Sequence, residues 1–155
     1  MATSFLQSRF LLHTFSRHLC SNTSLKVGRK AELFRVFSAS DVCQFADLTG
    51  DTNPLHLDEK YARTSTQFGR CVVHGALVNG LISALHGTIL PGPGCIVVSQ
   101  QLKFMSPLYV DEEVRAEVEI LSHRHHIMKC SARCTATERN EVILVGETRL
   151  VIPKM

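Results

Sequence analysis

No acidic residue occurs before Glu32, and this absence separates the N-terminal segment from the rest of the chain. The six cysteines form no C-x-x-C pair and follow no regular spacing, so we expect reduced thiols. The longest apolar run, 75–90, is shorter than the about 20 residues of a membrane-spanning helix, so no membrane span is expected. A net charge of +3 is too small to indicate a nucleic-acid partner.

Residues 1–30 have the composition of a mitochondrial targeting presequence. Serines recur there, and the following residues would form an amphipathic, positively charged helix: Phe5, Leu6, Arg9, Phe10, Leu12, Phe15 and Arg17. We expect a presequence and disordered linker over 1–30, cleavage near Leu19 and delivery to the mitochondrial matrix. An untargeted, disordered tail is the alternative. Residues 31–155 are expected to form one globular domain, because 45% of the chain is hydrophobic and 20% is charged.

An acidic residue, Asp51, lies five positions ahead of His56. Pro54 favours an extended Asn53 before it and suits the first position of a helix, so we predict a helix that begins at Pro54 with Asn53 as its N-cap. Gly50 allows the chain to turn sharply, which would direct Asp51 toward the His56 ring. A carboxylate and an imidazole held this close predict an acid/base pair.

In the predicted helix, which runs to Ala62, we place His56 in the first turn together with the carboxylates of Asp58 and Glu59. The positive end of the helix dipole complements carboxylates and disfavours an imidazolium, so we expect a neutral ring that can donate and accept protons. Ordinary turn chemistry is the alternative interpretation. Gly, Asp, Asn and Pro are also the residues of a tight turn before a capped helix, and His56 would then be a surface residue.

The run 75–90 is apolar on nearly every face and predicts a buried central helix. Its only clearly polar residues are Asn79, Ser83, His86 and Thr88. His74 and Gly75 mark the start of this helix, where free backbone N–H groups can stabilise a developing negative charge on an oxygen. Gly75 is therefore a candidate substrate-binding residue, and close packing is the alternative reason for a glycine there.

Alternating and β-rich stretches predict an antiparallel sheet around this helix. They follow the helix at 95–104, 113–121, 127–137 and 141–152, and a shorter one precedes it at 33–37. In 113–121 apolar and charged residues alternate, which indicates a strand buried on one face. Ser38 and Asp41 form a capping-box pattern before another helix, and Arg139-Asn140 is a predicted tight turn. The fold class is therefore predicted to be α+β.

The order of these motifs resembles that of a known family. Leu48-Thr49-Gly50-Asp51, Asn53-Pro54-Leu55-His56, Phe68-Gly69 and Val73-His74-Gly75 are similar to motifs of the MaoC-like, R-specific enoyl-thioester hydratases. The resemblance covers residues 33–151 and implies a hot-dog fold, a sheet curled around one long helix. It implies that Asp51 and His56 are catalytic, that the Gly75 N–H polarises a thioester carbonyl, and that no metal or other cofactor is required.

The activity implied by the resemblance is reversible elimination of water from an (R)-3-hydroxyacyl thioester, in mitochondrial fatty acid synthesis. The acyl group would be carried by acyl carrier protein or coenzyme A, contacted by basic residues such as Arg63, Arg70 or Lys103, and the chain would form a homodimer. A hot-dog thioesterase and a non-catalytic acyl-binding module are the alternatives. The GDxNPxH order and the presence of both Asp51 and His56 favour the dehydratase.

Several residues are predicted less sharply. Leu77, Leu81 and Ile82 would line an acyl channel or belong to the core. Members of the family often place a glycine before the acidic residue of the turn at 107–112, and this chain has none there.

The three histidines His123, His125 and His126 do not predict a metal site, because at most two of them share a strand face, and a solvated strand end is expected. Cys130 and Cys134 would lie about 13 Å apart on a strand, too far for a disulfide.

Overall fold

The computed structural model describes residues 25–152, so the predicted presequence helix and the cleavage near Leu19 lie outside the described residues. The described elements are β1 (Lys30–Val36), α1 (Ala39–Thr49), α2 (Pro54–Leu57), α3 (Glu59–Ser65), α4 (Gly75–Thr88), β2 (Ile96–Phe104), β3 (Glu113–Arg124), β4 (Ile127–Ala136) and β5 (Glu141–Val151). The strands form one antiparallel sheet in the order β1-β3-β4-β5-β2. Helix α4 contacts β1, β2, β3 and β4. This arrangement confirms the predicted α+β, hot-dog architecture.

The predicted capping box begins α1. The Ser38 hydroxyl accepts a hydrogen bond from the Asp41 N–H at 3.2 Å, and the Asp41 carboxylate accepts from the Ser38 N–H at 2.9 Å. The helix ends at Gly50, whose φ of 78° is the left-handed conformation that glycine adopts without strain. Its N–H donates to the Ala46 carbonyl at 2.8 Å. The chain therefore reverses here and enters the loop that contains Asp51.

The helix predicted at Pro54 is confirmed, with the Asn53 side chain accepting from the Leu55 N–H at 3.1 Å. It is a single turn, because Asp58 has an extended backbone and its carboxylate caps the separate helix α3. The expectation that Asp58 and Glu59 follow His56 within one helix is therefore wrong. A four-residue helix is also too short to support the dipole argument for a neutral His56.

Helix α4 packs one face against the sheet. Its buried residues join the core with the inward side chains of β3, in the alternation predicted from the sequence: Val78, Leu81, Ile82, Leu85, Val114, Ala116, Val118 and Ile120. The expectation of a helix buried all round is wrong, because the opposite face is exposed. The exposed residues of α4 are Ala76, Gly80, Ser83, Ala84, Gly87 and Thr88. Small side chains lose little hydrophobic free energy by remaining in water, so the exposure costs little.

Among the strands of residues 25–152, β2 is an edge strand whose one neighbour is β5. Gly146 of β5 lies opposite Leu102, and a Cβ built on Gly146 would overlap the Gln101 carbonyl oxygen. Only glycine therefore permits the two strands to approach at this point. None of the helices within 25–152 is both long and apolar enough to cross a membrane.

The remaining turns agree in part with those predicted from the sequence. Arg139-Asn140 lies in the predicted turn between β4 and β5, and Asn140 has a φ of 48°. His125 and His126 form the turn between β3 and β4 rather than a strand end, and the three histidines of this region are exposed as expected. Asp111, in the turn where members of the family often have a glycine, adopts a left-handed φ of 64°. The five described cysteines are free: Cys43, Cys71, Cys95, Cys130 and Cys134.

Candidate active site

Three side chains converge where the loop before α2 meets the start of α4. The ligand-type atoms of Asp51, His56 and His74 all lie within 4.8 Å of one another. Asp51 is exposed, His56 is half-buried and His74 is 1% exposed. The structure therefore brings together the carboxylate and the imidazole that the sequence predicted to form an acid/base pair.

Hydrogen bonding fixes the tautomer of His56. Its Nδ1 lies 2.6 Å from the Val72 carbonyl oxygen, which can only accept, so Nδ1 carries the proton. In the neutral ring the lone pair is therefore on Nε2. Val72 itself is held on both sides, because its N–H donates to the Leu55 carbonyl at 3.3 Å and its backbone pairs with Tyr109. The result is an imidazole with one nitrogen anchored and one available for proton transfer.

His74, which the sequence identified only as the start of a helix, is part of this site. Its ring stacks on the His56 ring, with centroids 3.8 Å apart and planes inclined by 29°. The ring also contacts Phe45 at a centroid distance of 5.0 Å. Its Nε2 donates to the Asp51 main-chain carbonyl at 3.0 Å. The only sequence signal for this role was a histidine immediately before the helix-starting glycine.

Gly75 lies on the wall of a cavity of about 330 Å³ that His56 also lines. The other walls are mostly apolar, formed by Phe68, Val72, Val73, Val78, Phe104, Met105, Ser106, Pro107, Leu108 and Ile143. A Cβ on Gly75 would lie 2.9 Å from the Phe104 ring, so close packing also requires glycine here. As the first residue of α4, Gly75 has an N–H with no acceptor inside the helix. The cavity thus has an apolar body and two polar groups at one end.

The His56 ring also borders a second cavity of about 330 Å³ with more polar walls. Arg70, Glu59 and Asp111 line it, together with the thiols of Cys43 and Cys71. Burial, followed by the nearby Glu59 carboxylate, raises the pKa of the Cys71 thiol to about 11. That thiol therefore stays protonated near neutral pH and is not a nucleophile beside His56.

An ion pair between the exposed Arg139 and the buried Glu112 supports the loop that forms one wall of the apolar cavity. Arg139 donates to Glu112 at 2.5 and 3.0 Å and to the Pro107 carbonyl at 2.8 Å. Burial acts to raise the pKa of the Glu112 carboxyl, but hydrogen bonds from Arg139 and the Tyr109 N–H outweigh it and the pKa is lowered. The loop in turn accepts from the Val73 N–H through the Leu108 carbonyl at 2.8 Å. Residues far along the chain therefore fix the strand segment that anchors His56.

Other predicted residues lie elsewhere. Leu81 and Ile82 belong to the core, and Leu77 faces a separate open recess, so none of these three lines the cavity beside His56. Among the basic candidates, Arg63 pairs with Glu59 at 3.7 Å and Lys103 is exposed on β2. Arg70 borders the polar cavity and donates to the Val110 carbonyl at 2.8 Å.

The site suits proton transfer better than metal binding. Imidazole nitrogens bind a metal ion along lone pairs that lie in the ring plane, and the lone pairs of two stacked rings lie in two separate planes rather than pointing from different sides toward one ion. Moreover, His56 Nδ1 and His74 Nε2 already donate to carbonyl groups. What remains is the Nε2 atom of His56 with the Asp51 carboxylate near it, and an apolar cavity lined by His56 and by Gly75 at the start of α4. These are the parts of an acid/base site with an oxyanion donor.

Comparison with known proteins gives consistent results. A family model described as "MaoC like domain" matches residues 21–141. The (R)-specific enoyl-CoA hydratase of Aeromonas caviae is 49% identical over 136 residues, covering 86% of this chain and 99% of that protein. The mitochondrial 3-hydroxyacyl-[acyl-carrier-protein] dehydratase of Arabidopsis thaliana is 33% identical, covering 99% of this chain and 92% of that protein. The solved structure of the (R)-hydratase from A. caviae has a TM-score of 0.80 and 41% identity, covering 84% of this chain and 99% of that one.

Proposed function

Because the chain belongs to the MaoC-like domain family, we propose that it is a hydro-lyase that interconverts (R)-3-hydroxyacyl thioesters and trans-2-enoyl thioesters. The observation that carries this proposal is the convergence of Asp51 and His56 beside a cavity whose wall includes Gly75. A short acyl chain fits an apolar cavity of about 330 Å³.

The chemistry requires stabilisation of an enolate, since the α-hydrogen of a thioester is only weakly acidic. In our proposal the Gly75 N–H donates to the thioester carbonyl oxygen, where negative charge develops as the α-proton leaves. The Nε2 lone pair of His56 takes that proton, and the resulting imidazolium delivers it to the 3-hydroxyl group. The carbon–oxygen bond then breaks, water departs and the carbon–carbon double bond forms. One ring acting at both carbons makes the elimination syn.

Asp51 complements His56 in this scheme. Its carboxylate lies close enough to stabilise the imidazolium that forms when the ring takes the α-proton. In the hydration direction the same pair orients and deprotonates the attacking water. General acid/base catalysis contributes about 10²- to 10⁴-fold, so loss of either residue should be readily measured.

The test is hydration of a crotonyl thioester by the purified protein. We expect Asp51→Asn and His56→Ala each to lower kcat by about 10²- to 10⁴-fold while the melting temperature changes little. Asp47→Asn and His126→Ala, at exposed positions of α1 and of the β3–β4 turn, are matched controls with expected wild-type activity. Release of free thiol without enoyl interconversion would show a thioesterase, and acyl binding without turnover would show a non-catalytic module.

The carrier and the location extend the same proposal. The relatives named above act on coenzyme A and acyl-carrier-protein thioesters by their names, and the A. thaliana relative is mitochondrial by its name. We propose that residues 1–30 direct the chain to the mitochondrial matrix, where either carrier would be contacted by Arg70 beside the polar cavity. Activity on both crotonyl carriers, compared between wild type and Arg70→Gln, measures the preference. A fluorescent protein fused after residue 30 tests targeting.

We also propose a homodimer formed along β2. This edge strand has unpaired N–H and C=O groups along one side, and Ile96 and Val98 are 63% and 55% exposed. Pairing with a second copy would satisfy the edge and cover both side chains. Light scattering should report a dimer for wild type and a monomer for Val98→Asp. Val27→Asp, an equally exposed position before β1, is the control, and a monomeric wild type would contradict the proposal.

A further inference from the structure

Among the described residues, a single side-chain hydrogen bond joins the loop that contains Asp51 to the start of α4. Within residues 25–152 the other hydrogen bonds of residues 50–53 connect positions at most four apart, such as the Thr52 N–H to the Gly50 carbonyl at 3.0 Å. The bond from His74 Nε2 to the Asp51 carbonyl spans 23 positions. Local bonds shape the turn, whereas the His74 bond sets where Asp51 lies relative to the start of α4.

Packing alone does not explain why a histidine occupies position 74. The ring is 1% exposed, and its Nδ1 is buried with no hydrogen-bond partner among the described residues. A buried polar atom without a hydrogen-bond partner destabilises the folded state, and phenylalanine would stack on His56 without that cost. Phenylalanine cannot supply the Nε2–H that Asp51 accepts. The donor is therefore the feature for which histidine is required.

We propose that His74 is a positioning residue for the reaction proposed above, on which this inference rests. It holds Asp51 at the distance from His56 that the acid/base pair needs. Its ring stacks on His56, its Nε2–H fixes the Asp51 main chain, and its own backbone caps the helix that begins with Gly75. One buried residue thereby ties the carboxylate, the imidazole and the oxyanion donor to the same end of α4.

Two substitutions separate the donor from the ring. His74→Phe retains a flat ring but loses the donor, and we expect kcat to fall about 10- to 100-fold with little change in KM, the usual cost of removing a supporting hydrogen bond. The melting temperature should change little, because the lost hydrogen bond is offset by removal of the unsatisfied Nδ1. His74→Gln retains a donor without the ring and should restore most of kcat. His86→Phe, the same change at the other buried histidine of α4, should leave kcat unchanged.

The double variant Asp51→Asn/His74→Phe tests whether His74 acts through Asp51. If it does, His74→Phe adds less than about threefold to the loss caused by Asp51→Asn alone, because the effects of coupled residues do not multiply. Wild-type kcat in His74→Phe, or multiplication of the two effects, overturns the inference. An inactive wild type, or an active Asp51→Asn variant, overturns the proposed function instead, so the two failures are distinguishable.

Discussion

The dipeptide His-Gly occurs at both ends of α4, as His74-Gly75 and His86-Gly87. Both histidines are buried, at 1% and 0% exposure, and each has one nitrogen bonded to a main-chain carbonyl and one without a partner among the described residues. The difference lies in the carbonyl. His74 bonds Asp51, 23 positions away, whereas His86 bonds Leu90, only four positions away, at 3.0 Å.

The glycines differ in the same way. A Cβ on Gly75 would lie 2.9 Å from the Phe104 ring, whereas a Cβ on Gly87 would meet nothing within 4 Å. The N-terminal end of α4 is therefore built from contacts with distant segments, and the C-terminal end completes its own helix. Identical residues thus support the proposed active site at one end of α4 and local folding at the other, and burial alone does not distinguish the two.

The largest effect is expected from removing Arg139, a residue far along the chain that supports the loop next to the N-terminal end of α4. Arg139→Ala leaves the buried Glu112 carboxylate without its ion-pair partner, and we expect a loss of about 2–3 kcal/mol in the free energy of unfolding, measured by urea denaturation. Arg133→Ala, at an exposed position of β4, is the control and should cost less than about 0.5 kcal/mol. Equal losses in the two variants would show that the pair does not support the loop.

The next largest effect is expected for Gly75→Ala, which tests the difference between Gly75 and Gly87. The added methyl group displaces the Phe104 ring, which forms a wall of the cavity, and we expect kcat/KM for a crotonyl thioester to fall about 10- to 100-fold. The N–H of residue 75 is retained, so the loss would report cavity geometry. Wild-type kcat/KM in Gly75→Ala would mean that Phe104 moves away without consequence.

His86 should also make stability depend on pH. Burial lowers its pKa below the usual 6.5, so the folded ring stays neutral while the unfolded ring gains a proton as pH falls below that value. The free energy of unfolding is therefore expected to decrease below pH 6.5, by no more than about 1.4 kcal/mol per pH unit for one proton. In His86→Leu the free energy of unfolding should depend less on pH in this range. The measurement is a series of denaturant unfolding titrations between pH 5 and 7, a window of about two units. A slope in His86→Leu equal to that of wild type would contradict the assignment.

The smallest expected effect is stabilising. Gly87→Ala removes backbone freedom from the unfolded chain at an exposed helical position with open space around it, so the free energy of unfolding should rise by about 0.5–1 kcal/mol. Crotonyl hydration should be unchanged. A stability loss in Gly87→Ala would indicate that this face of α4 is covered in solution.

The parts of the fold that follow from local chemistry could be predicted from the sequence. The capping box at Ser38, the N-cap at Asn53, the start of α4 and the alternation in β3 each depend on residues a few positions apart. The break at Asp58 was missed because an aspartate suits both the first turn of one helix and the N-cap of the next. The exposed face of α4 was missed because hydropathy does not distinguish an apolar face that is covered from one lined by small residues.

For the site, the sequence indicated Asp51, His56 and Gly75 but not the residues that support them. His74 contacts Asp51 across 23 positions, and Arg139 contacts Glu112 across 27. Such pairs leave no periodic or spacing signal, since they depend on how strands and loops are arranged in three dimensions. From the sequence, Phe104 is likewise predicted only to be a strand residue. Its contact with Gly75 follows from the pairing of β2 with β5.

Gly146 has a bearing on how natural variation in this chain should be interpreted. It lies far along the chain from Asp51 and His56, in a strand where a change to alanine or serine would ordinarily be scored as benign. Any side chain there collides with the Gln101 main chain and would disturb the pairing of β2, whose last residue, Phe104, borders the cavity beside His56. A missense allele at this position should therefore be scored as disruptive to the fold rather than as a neutral polymorphism.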